Sequence, residues 1–160
     1  MCSAEDGGCD FEDGSVGRGC AEPEALPFFE FTYGVKLQKV GFITTDDGRL
    51  GCSPDAITED GGVECKCPQP PAALKYLLEG VLPPQYAAQV HGSMLVTGRS
   101  HWTFLSYSRQ FPAFVLRVDR DEGIQTKLRA ALDAFLARFD AAYAKIKALK
   151  DAEAAAHTAP

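Results

Sequence analysis

The sequence predicts an α/β fold in which one mixed sheet is flanked by helices. Two observations favour this fold. Short apolar runs bounded by Gly and Pro alternate with stretches of helical spacing. The C-terminal quarter repeats apolar side chains every three or four positions, which is typical of one long amphipathic helix. With 160 residues, of which 46% are hydrophobic and 24% charged, the chain is long enough for one domain with a substantial core.

The predicted order is a helix, a meander of three strands, two helices, two strands and the long helix. The elements are expected at 22–32, 35–44, 50–57, 63–67, 72–79, 85–96, 102–105, 114–118 and 121–150.

Local residues justify the ends of these elements. The first helix tolerates Pro23 in its first turn, whereas Pro27 is awkward inside it. Asp46-Asp47-Gly48 is typical of a hairpin turn between the first two strands. The prolines from Pro68 onward stop the third strand. Gly98 ends the helix predicted at 85–96.

The sequence indicates no membrane segment and no signal peptide. No apolar run approaches the ~20 residues that span a bilayer. The N-terminus has neither the basic region nor the apolar core of a secretion signal. We therefore expect a cytoplasmic protein with a disordered acidic leader at 1–17, one domain at 18–150 and a flexible tail at 151–160.

The net charge of −6 is unevenly distributed along the chain. Residues 1–30 hold eight acids and one base, whereas residues 31–160 hold fourteen acids and fifteen bases. The body of the domain is therefore close to neutral and has no broad basic surface for coating nucleic acid. A DNA partner would have to be bound locally, through a metal ion, a few basic side chains and backbone amides.

The six cysteines do not have the spacing of a zinc ribbon, because no Cys-x2-Cys pair occurs. Cys65 and Cys67 place both thiols on one face of a strand, opposite Lys66. We interpret them as small buried hydrophobic residues. An iron–sulfur cluster that joins Cys20 to later cysteines is the alternative.

Two predicted strands bring together residues suited to phosphodiester hydrolysis. Asp55 lies on the second strand, and Glu64 and Lys66 lie on the third, where alternation points both to the same side. The turn between these strands can bring Asp55 beside them. Two carboxylates with an adjacent amine form a site for a hard cation with a positive group next to it, the set that metal-assisted hydrolysis requires.

The chain also resembles the YqaJ-like viral recombinase family, the phage lambda-type exonucleases within the PD-(D/E)xK nuclease superfamily. The resemblance covers residues 18–150. It is carried by Arg18-Gly19, Glu22-Pro23-Glu24-Ala25, Phe29 to Val35, Gly51 to Asp55, Gly62 to Pro68, Tyr86 to His91, Met94 to Gly98, Trp102-Thr103-Phe104 and Asp119 to Glu122. It implies a restriction-endonuclease-like core with a mixed five-stranded sheet.

The resemblance also implies roles for individual residues. Asp55 and Glu64 would hold one or two Mg²⁺ or Mn²⁺ ions, with the backbone carbonyl of Cys65 and the carboxylate of Glu22 as further ligands. Lys66 would position or activate the attacking water and stabilise the charge that develops on the phosphate. Without the resemblance, Glu22 also fits an acid favoured at a helix N-terminus.

Three further residues receive supporting roles from the family. Gln89 matches the glutamine that supports the active site, and Tyr86 shares its helix face. Ser53 is expected to touch a phosphate of the DNA. On residue type alone, Gln89 also fits an ordinary exposed helix position, and His91 fits a partly buried or surface position. His101 is expected in a turn and Trp102 in the core.

The implied function is a metal-dependent exonuclease that acts 5′→3′ on double-stranded DNA ends. The implied partners are those DNA ends, a single-strand annealing protein and two further copies in a ring-shaped homo-trimer. Two alternatives stay open: a catalytically impaired nuclease-fold remnant that acts only as a DNA-binding or interaction module, and an endonuclease of the same superfamily.

Overall fold

The computed structural model describes the backbone of residues 22–158, together with the side chains of residues 23–154 and of His157. The predicted leader at 1–17 lies outside this part, as do Arg18 and Gly19. The chain divides into two compact units, Met1–Arg120 and Asp121–Pro160.

Four helices and six strands make up the described chain. In order they are α1 (Glu22–Tyr33), β1 (Ile43–Thr44), β2 (Gly51–Cys52), β3 (Ala56–Ile57), β4 (Gly61–Lys66), α2 (Pro70–Glu79), α3 (Pro84–Thr97), β5 (His101–Ser108), β6 (Phe111–Asp119) and α4 (Glu122–Thr158).

The main sheet has the strand order β3-β4-β5-β6. β4 pairs antiparallel with β3 and parallel with β5, and β5 pairs antiparallel with β6. Parallel neighbours require a crossover connection, which α2 and α3 supply here. β4 therefore lies inside the sheet, with helices of the crossover following it directly in sequence.

The two faces of the main sheet carry separate apolar clusters. On one face, α1 packs against β4 and β5 in a cluster of Ala25, Leu26, Phe29, Ala56, Val63, Cys65 and Leu105. On the other face, Trp102 and Phe104 of β5 pack with Tyr76, Tyr86, Val90 and Met94 of α2 and α3. Because strand side chains alternate, Cys65 faces α1 while Glu64 and Lys66 lie on the opposite face.

The absence of a side chain at Gly62 allows β4 and β5 to pack together. Gly62 lies beside Trp102 in the parallel register, and a Cβ atom at Gly62 would overlap the indole ring. Trp102 is fully buried, as predicted. His91 is 4% exposed, which is deeper than the partly buried or surface position expected for it. The predicted turn at His101 is wrong, because this residue begins β5 and is only 7% exposed.

Proline and glycine mark the ends of the crossover helices. Pro70 and Pro84 are the first residues of α2 and α3. Gly80 and Gly98 end the same helices with φ of 65° and 70°, a left-handed conformation that glycine adopts without steric cost. The predicted helix end at Gly98 is confirmed.

The structure corrects the sheet. The main sheet has four strands rather than five, since β1 and β2 form a separate two-stranded sheet. The strand expected at 35–44 is reduced to β1 and one isolated bridge between Gln38 and Ile57. The strand expected at 50–57 is interrupted around Pro54, which has no N–H to donate to a ladder.

The second unit consists of α4, which extends from Glu122 to Thr158 rather than from 121 to 150. Its end lies beyond the expected one because 151–158 is rich in alanine, the strongest helix former. The flexibility expected for 151–160 stays a prediction. Among the described helices, none is long and apolar enough to cross a bilayer.

Candidate active site

Asp55 is held at the start of β3 by the neighbouring strand. Its Oδ2 accepts a 2.6 Å hydrogen bond from the backbone N–H of Cys65. Pro54, which is buried, precedes it where the chain leaves β2. Asp55 is thereby fixed to β4 at the residue that separates Glu64 from Lys66, as the turn between the two strands predicts.

Glu64 is the centre of the polar cluster. Its side chain is only 2% exposed. Its Oε1 lies 2.6 Å from Lys66 Nζ and accepts a 2.7 Å hydrogen bond from Gln89 Nε2. Lys66 lies two residues along the same strand face, and Gln89 reaches the same oxygen from α3. The structure thus brings together four residues that the sequence predicted for the site: Asp55, Glu64, Lys66 and Gln89.

Burial and nearby charge control the protonation of Glu64. Desolvation raises the pKa of its carboxyl to about 7; the charge of Lys66 opposes this shift, while the charge of Asp55 adds to it. A buried carboxylate with another beside it is costly to ionise. A cation that both acids could share would relieve this cost.

For Lys66, the nearby charges outweigh the effect of burial on the pKa. Burial lowers the pKa of its amine, but the charges of Glu64 and Asp55 raise it by more, and the net shift is upward. The ammonium group also lies 5.3 Å from the centroid of the Tyr86 ring, within the range of a cation–π interaction. Lys66 is therefore held as a charged group between two acids and an aromatic face.

The two predicted DNA contacts occupy different surroundings. Tyr86 is 7% exposed, and its ring centroid lies 5.2 Å from that of Phe104. Ser53 is exposed, and its Oγ donates a 2.8 Å hydrogen bond to the carbonyl of Gly41. Contact of either residue with DNA stays a prediction.

Sequence reasoning missed Cys52 and Ser93. Burial raises the pKa of the Cys52 thiol; a hydrogen bond from the Ser93 side chain opposes the shift, and the charge of Glu64 adds to it. Both residues therefore border the cluster. Ser93 could have been found from its position four residues after Gln89 on α3, which places it on the same helix face. Nothing in the sequence marks Cys52.

The side chain of Glu22, the remaining predicted ligand, lies outside the described part of the structure. Glu24, two residues after Glu22, forms an ion pair with Arg109 through both of its carboxylate oxygens. Arg109 Nε donates a 2.9 Å hydrogen bond to Glu24 Oε2, and Arg109 Nη2 pairs with Oε1. The hydrogen bond from Arg109 lowers the pKa of Glu24. This pair ties the first turn of α1 to the turn between β5 and β6.

The donor set can be compared with what a divalent cation requires. In the described part of the chain, no group of three or more His, Cys, Asp or Glu side chains is placed to hold a metal ion. Asp55 and Glu64 supply two carboxylates. Mg²⁺ is commonly held by one or two protein carboxylates together with waters and substrate phosphates. The residues present therefore fit such an ion.

Comparison with known proteins agrees with this arrangement. Residues 15–100 match the YqaJ-like viral recombinase domain, a stretch that includes the whole cluster. The chain therefore belongs to the YqaJ-like viral recombinase family.

Solved structures give a closer comparison. LHK-Exo, an alkaline exonuclease from Laribacter hongkongensis, is 31% identical, with a TM-score of 0.74 over 81% of this chain and 71% of that chain. The structure of LHK-Exo in complex with dAMP gives a TM-score of 0.73 with the same identity and coverage. No curated protein sequence matches significantly.

Proposed function

We propose that this protein is a metal-dependent exonuclease that hydrolyses double-stranded DNA from its ends, 5′→3′, in phage-type recombination. The observation that carries the proposal is the meeting of Asp55, Glu64 and Lys66 on one face of β4. Two carboxylates and an ammonium group within a family of viral recombinases match the needs of phosphodiester hydrolysis. The similar protein LHK-Exo is an exonuclease and binds dAMP.

Asp55 and Glu64 would hold Mg²⁺ or Mn²⁺, with the carbonyl of Cys65 and the carboxylate of Glu22 as further ligands. When bound, one or two such ions supply Lewis-acid polarisation of the scissile phosphate. Glu64 supports this assignment because its buried carboxyl ionises only with difficulty. A carboxyl with a pKa of about 7 is only partly ionised at neutral pH, and a bound cation would stabilise its ionised form.

Lys66 acts as a fixed positive charge in this proposal. Because its pKa is raised above the usual value for lysine, the amine is protonated at neutral pH. A protonated amine cannot accept a proton, so Lys66 does not activate water as a base while it pairs with Glu64. It can attract the phosphate and donate hydrogen bonds to the oxygen on which charge develops.

Gln89 and Tyr86 would hold the reactive groups in place. Gln89 donates to Glu64 and so leaves fewer orientations open to that carboxylate. The Tyr86 ring restricts the Lys66 ammonium on another side. Such supporting contacts matter because misplaced catalytic groups lose much of their effect.

The partners remain part of the proposal. The near-neutral body favours local binding of a double-stranded DNA end over a long basic track. Ser53, exposed near Asp55 in sequence, is the side chain proposed to meet a phosphate. A homo-trimer around the DNA and a single-strand annealing protein follow from the family resemblance. A cytoplasmic location is also part of the proposal.

The test is nucleotide release from linear duplex DNA, measured with Mg²⁺, with Mn²⁺ and with EDTA. We expect release only with a divalent cation, and its loss in Lys66→Ala. Lys75→Ala is the matched control, since Lys75 is 65% exposed on α2 and pairs with Glu79 rather than with a residue of the cluster. Duplexes labelled at either the 5′ or the 3′ end distinguish the polarity.

Three outcomes would contradict the proposal. A folded protein that binds duplex DNA but releases no nucleotide with any divalent cation is a remnant of the nuclease fold. Cleavage of closed circular DNA indicates an endonuclease. Release that persists in EDTA excludes the metal-dependent chemistry.

A further inference from the structure

The middle of α4 exposes a continuous apolar surface. We define the α4 stripe as Phe135, Phe139, Tyr143, Ile146 and Leu149, which are 52%, 53%, 59%, 54% and 72% exposed. Spacings of three and four residues place these side chains on one helix face. Apolar surfaces of this kind on a protein are characteristic of sites that bind another molecule.

The aromatic residues of the stripe are ordered against one another. The ring centroids of Phe135 and Phe139 are 6.2 Å apart with an interplanar angle of 26°, and those of Phe139 and Tyr143 are 6.2 Å apart at 15°. The three rings thus form a ridge along the helix. Ile146 and Leu149 continue it toward the C-terminus.

The charges beside the stripe are mostly positive. Between 127 and 150, α4 carries six bases and two acids, a net charge of +4 on a chain whose total is −6. At 3.6 residues per turn, Arg138 and Lys145 border one side of the stripe and Lys147 borders the other, with Lys150 at its C-terminal end. The acids Asp140 and Asp133 lie beside Lys147 on that border, about 20° and 40° further round the helix.

This charge pattern discriminates between occupants. Two copies of α4 that paired antiparallel through their stripes would bring the Arg138 and Lys145 borders of both copies together, and like charges at these positions oppose association. Duplex DNA offers phosphates but no apolar surface for the rings. An amphipathic helix with acidic residues on both sides of its apolar face satisfies the rings and the bases together.

We propose that the α4 stripe is a docking surface for an amphipathic helix of a partner protein whose apolar face is bordered by Asp or Glu. The partner's apolar side chains pack between the aromatic rings, and its acids pair with Arg138, Lys145, Lys147 and Lys150. This surface is separate in sequence from Asp55, Glu64 and Lys66, so the inference does not depend on the nuclease activity.

The test uses two fluorescent peptides about four heptads long, with Leu at both core positions and either Glu or Lys at the bordering positions. Binding to the full chain is measured by anisotropy at low and moderate salt. We expect the Glu peptide to bind at least about tenfold more tightly than the Lys peptide, and its advantage to shrink as salt rises.

Two variants examine the surface itself. Phe139→Ser should abolish binding of the Glu peptide while circular dichroism shows that α4 remains helical. The double variant Arg138→Glu and Lys145→Glu should reverse the preference, so that the Lys peptide binds more tightly. Lys75→Glu, a charge reversal on α2, should leave both affinities unchanged.

Other outcomes overturn the proposal. Equal binding of both peptides removes the role of charge, and the absence of binding removes the docking site. Self-association that Phe139→Ser abolishes assigns the stripe to a second copy. Binding only to vesicles that contain phosphatidylglycerol assigns it to a membrane. A large loss of stability of the rest of the chain in Phe139→Ser assigns the stripe to internal packing.

Discussion

Gln89 Nε2 donates a 2.7 Å hydrogen bond to Glu64 Oε1 across 25 residues of sequence. We expect Gln89→Ala to lower nucleotide release by about 10- to 100-fold, because Glu64 loses a donor that orients it. Gln85→Ala is the control on the same helix, since Gln85 donates to Tyr76 rather than to Glu64. Rates measured at saturating and limiting Mg²⁺ should show whether the loss lies in metal affinity. Equal rates in the two variants would refute the supporting role.

The raised pKa of Glu64 predicts a pH-dependent stability in the absence of metal. The folded protein holds a proton on Glu64 up to about pH 7, whereas the unfolded chain releases it near 4.5. The folded state therefore binds more protons between these values, and the free energy of unfolding falls as pH rises through this window. The decrease is at most about 3 kcal/mol.

Urea unfolding in EDTA at pH 5 and pH 7.5 measures this decrease. Glu64→Gln, which keeps the shape of the side chain but cannot ionise, should show a smaller decrease than the natural protein. Contributions of all other groups are the same in both proteins and cancel in the difference. If both proteins lose the same stability, Glu64 is not the responsible group.

Metal binding should stabilise the fold through Asp55 and Glu64. At ten times the dissociation constant, a ligand that binds only the folded protein adds about 1.4 kcal/mol. We expect Mg²⁺ to raise the melting temperature more at pH 8 than at pH 6, since protons compete for Glu64 at the lower pH. Asp55→Asn should abolish this rise. In EDTA, Asp55→Asn should remove the electrostatic repulsion between residue 55 and the carboxylate of Glu64.

Asp46→Asn provides the control for the metal experiment, because Asp46 is exposed in the turn between β1 and β2. It should show the same response to Mg²⁺ as the natural protein. A response to Mg²⁺ that survives in Asp55→Asn would place the cation elsewhere.

Gly62 is expected to be the glycine least tolerant of a side chain among those in the strands. Alanine there would push into the fully buried Trp102 ring, with the Cζ3 atom 2.6 Å from the new Cβ. Overpacking of this kind costs typically about 1–3 kcal/mol of unfolding free energy. Gly41→Ala, where nothing lies within 4 Å, should change stability far less. Similar losses in both variants would show that the overlap is relieved without cost.

The acid and amine cluster could be predicted because it is local. Asp55, Glu64 and Lys66 lie on a short hairpin, where alternation along β4 decides which side chains meet. Gln89 came only from the family resemblance, since no spacing rule connects α3 to β4. Cys52 was missed because its neighbours are set by three-dimensional packing rather than by sequence spacing.

The errors in the sheet have a similar origin. Partial alternation in 35–44 suggested a strand, but strand formation depends on neighbours that the pattern cannot show. Within 35–44, the structure shows strand pairing only for Gln38, which bridges to Ile57, and for β1, which pairs with β2. Periodicity predicted α4 well because a helix makes its hydrogen bonds within itself.

The parallel pairing of β4 with β5 has a consequence for synthesis on the ribosome. β3 and β4 can pair as soon as they emerge, but β5 begins only at His101, after both crossover helices. Until then one edge of β4 offers unpaired backbone groups to other nascent chains. Chains that stall before Ser108 should therefore aggregate, and production in cells should benefit from added chaperones.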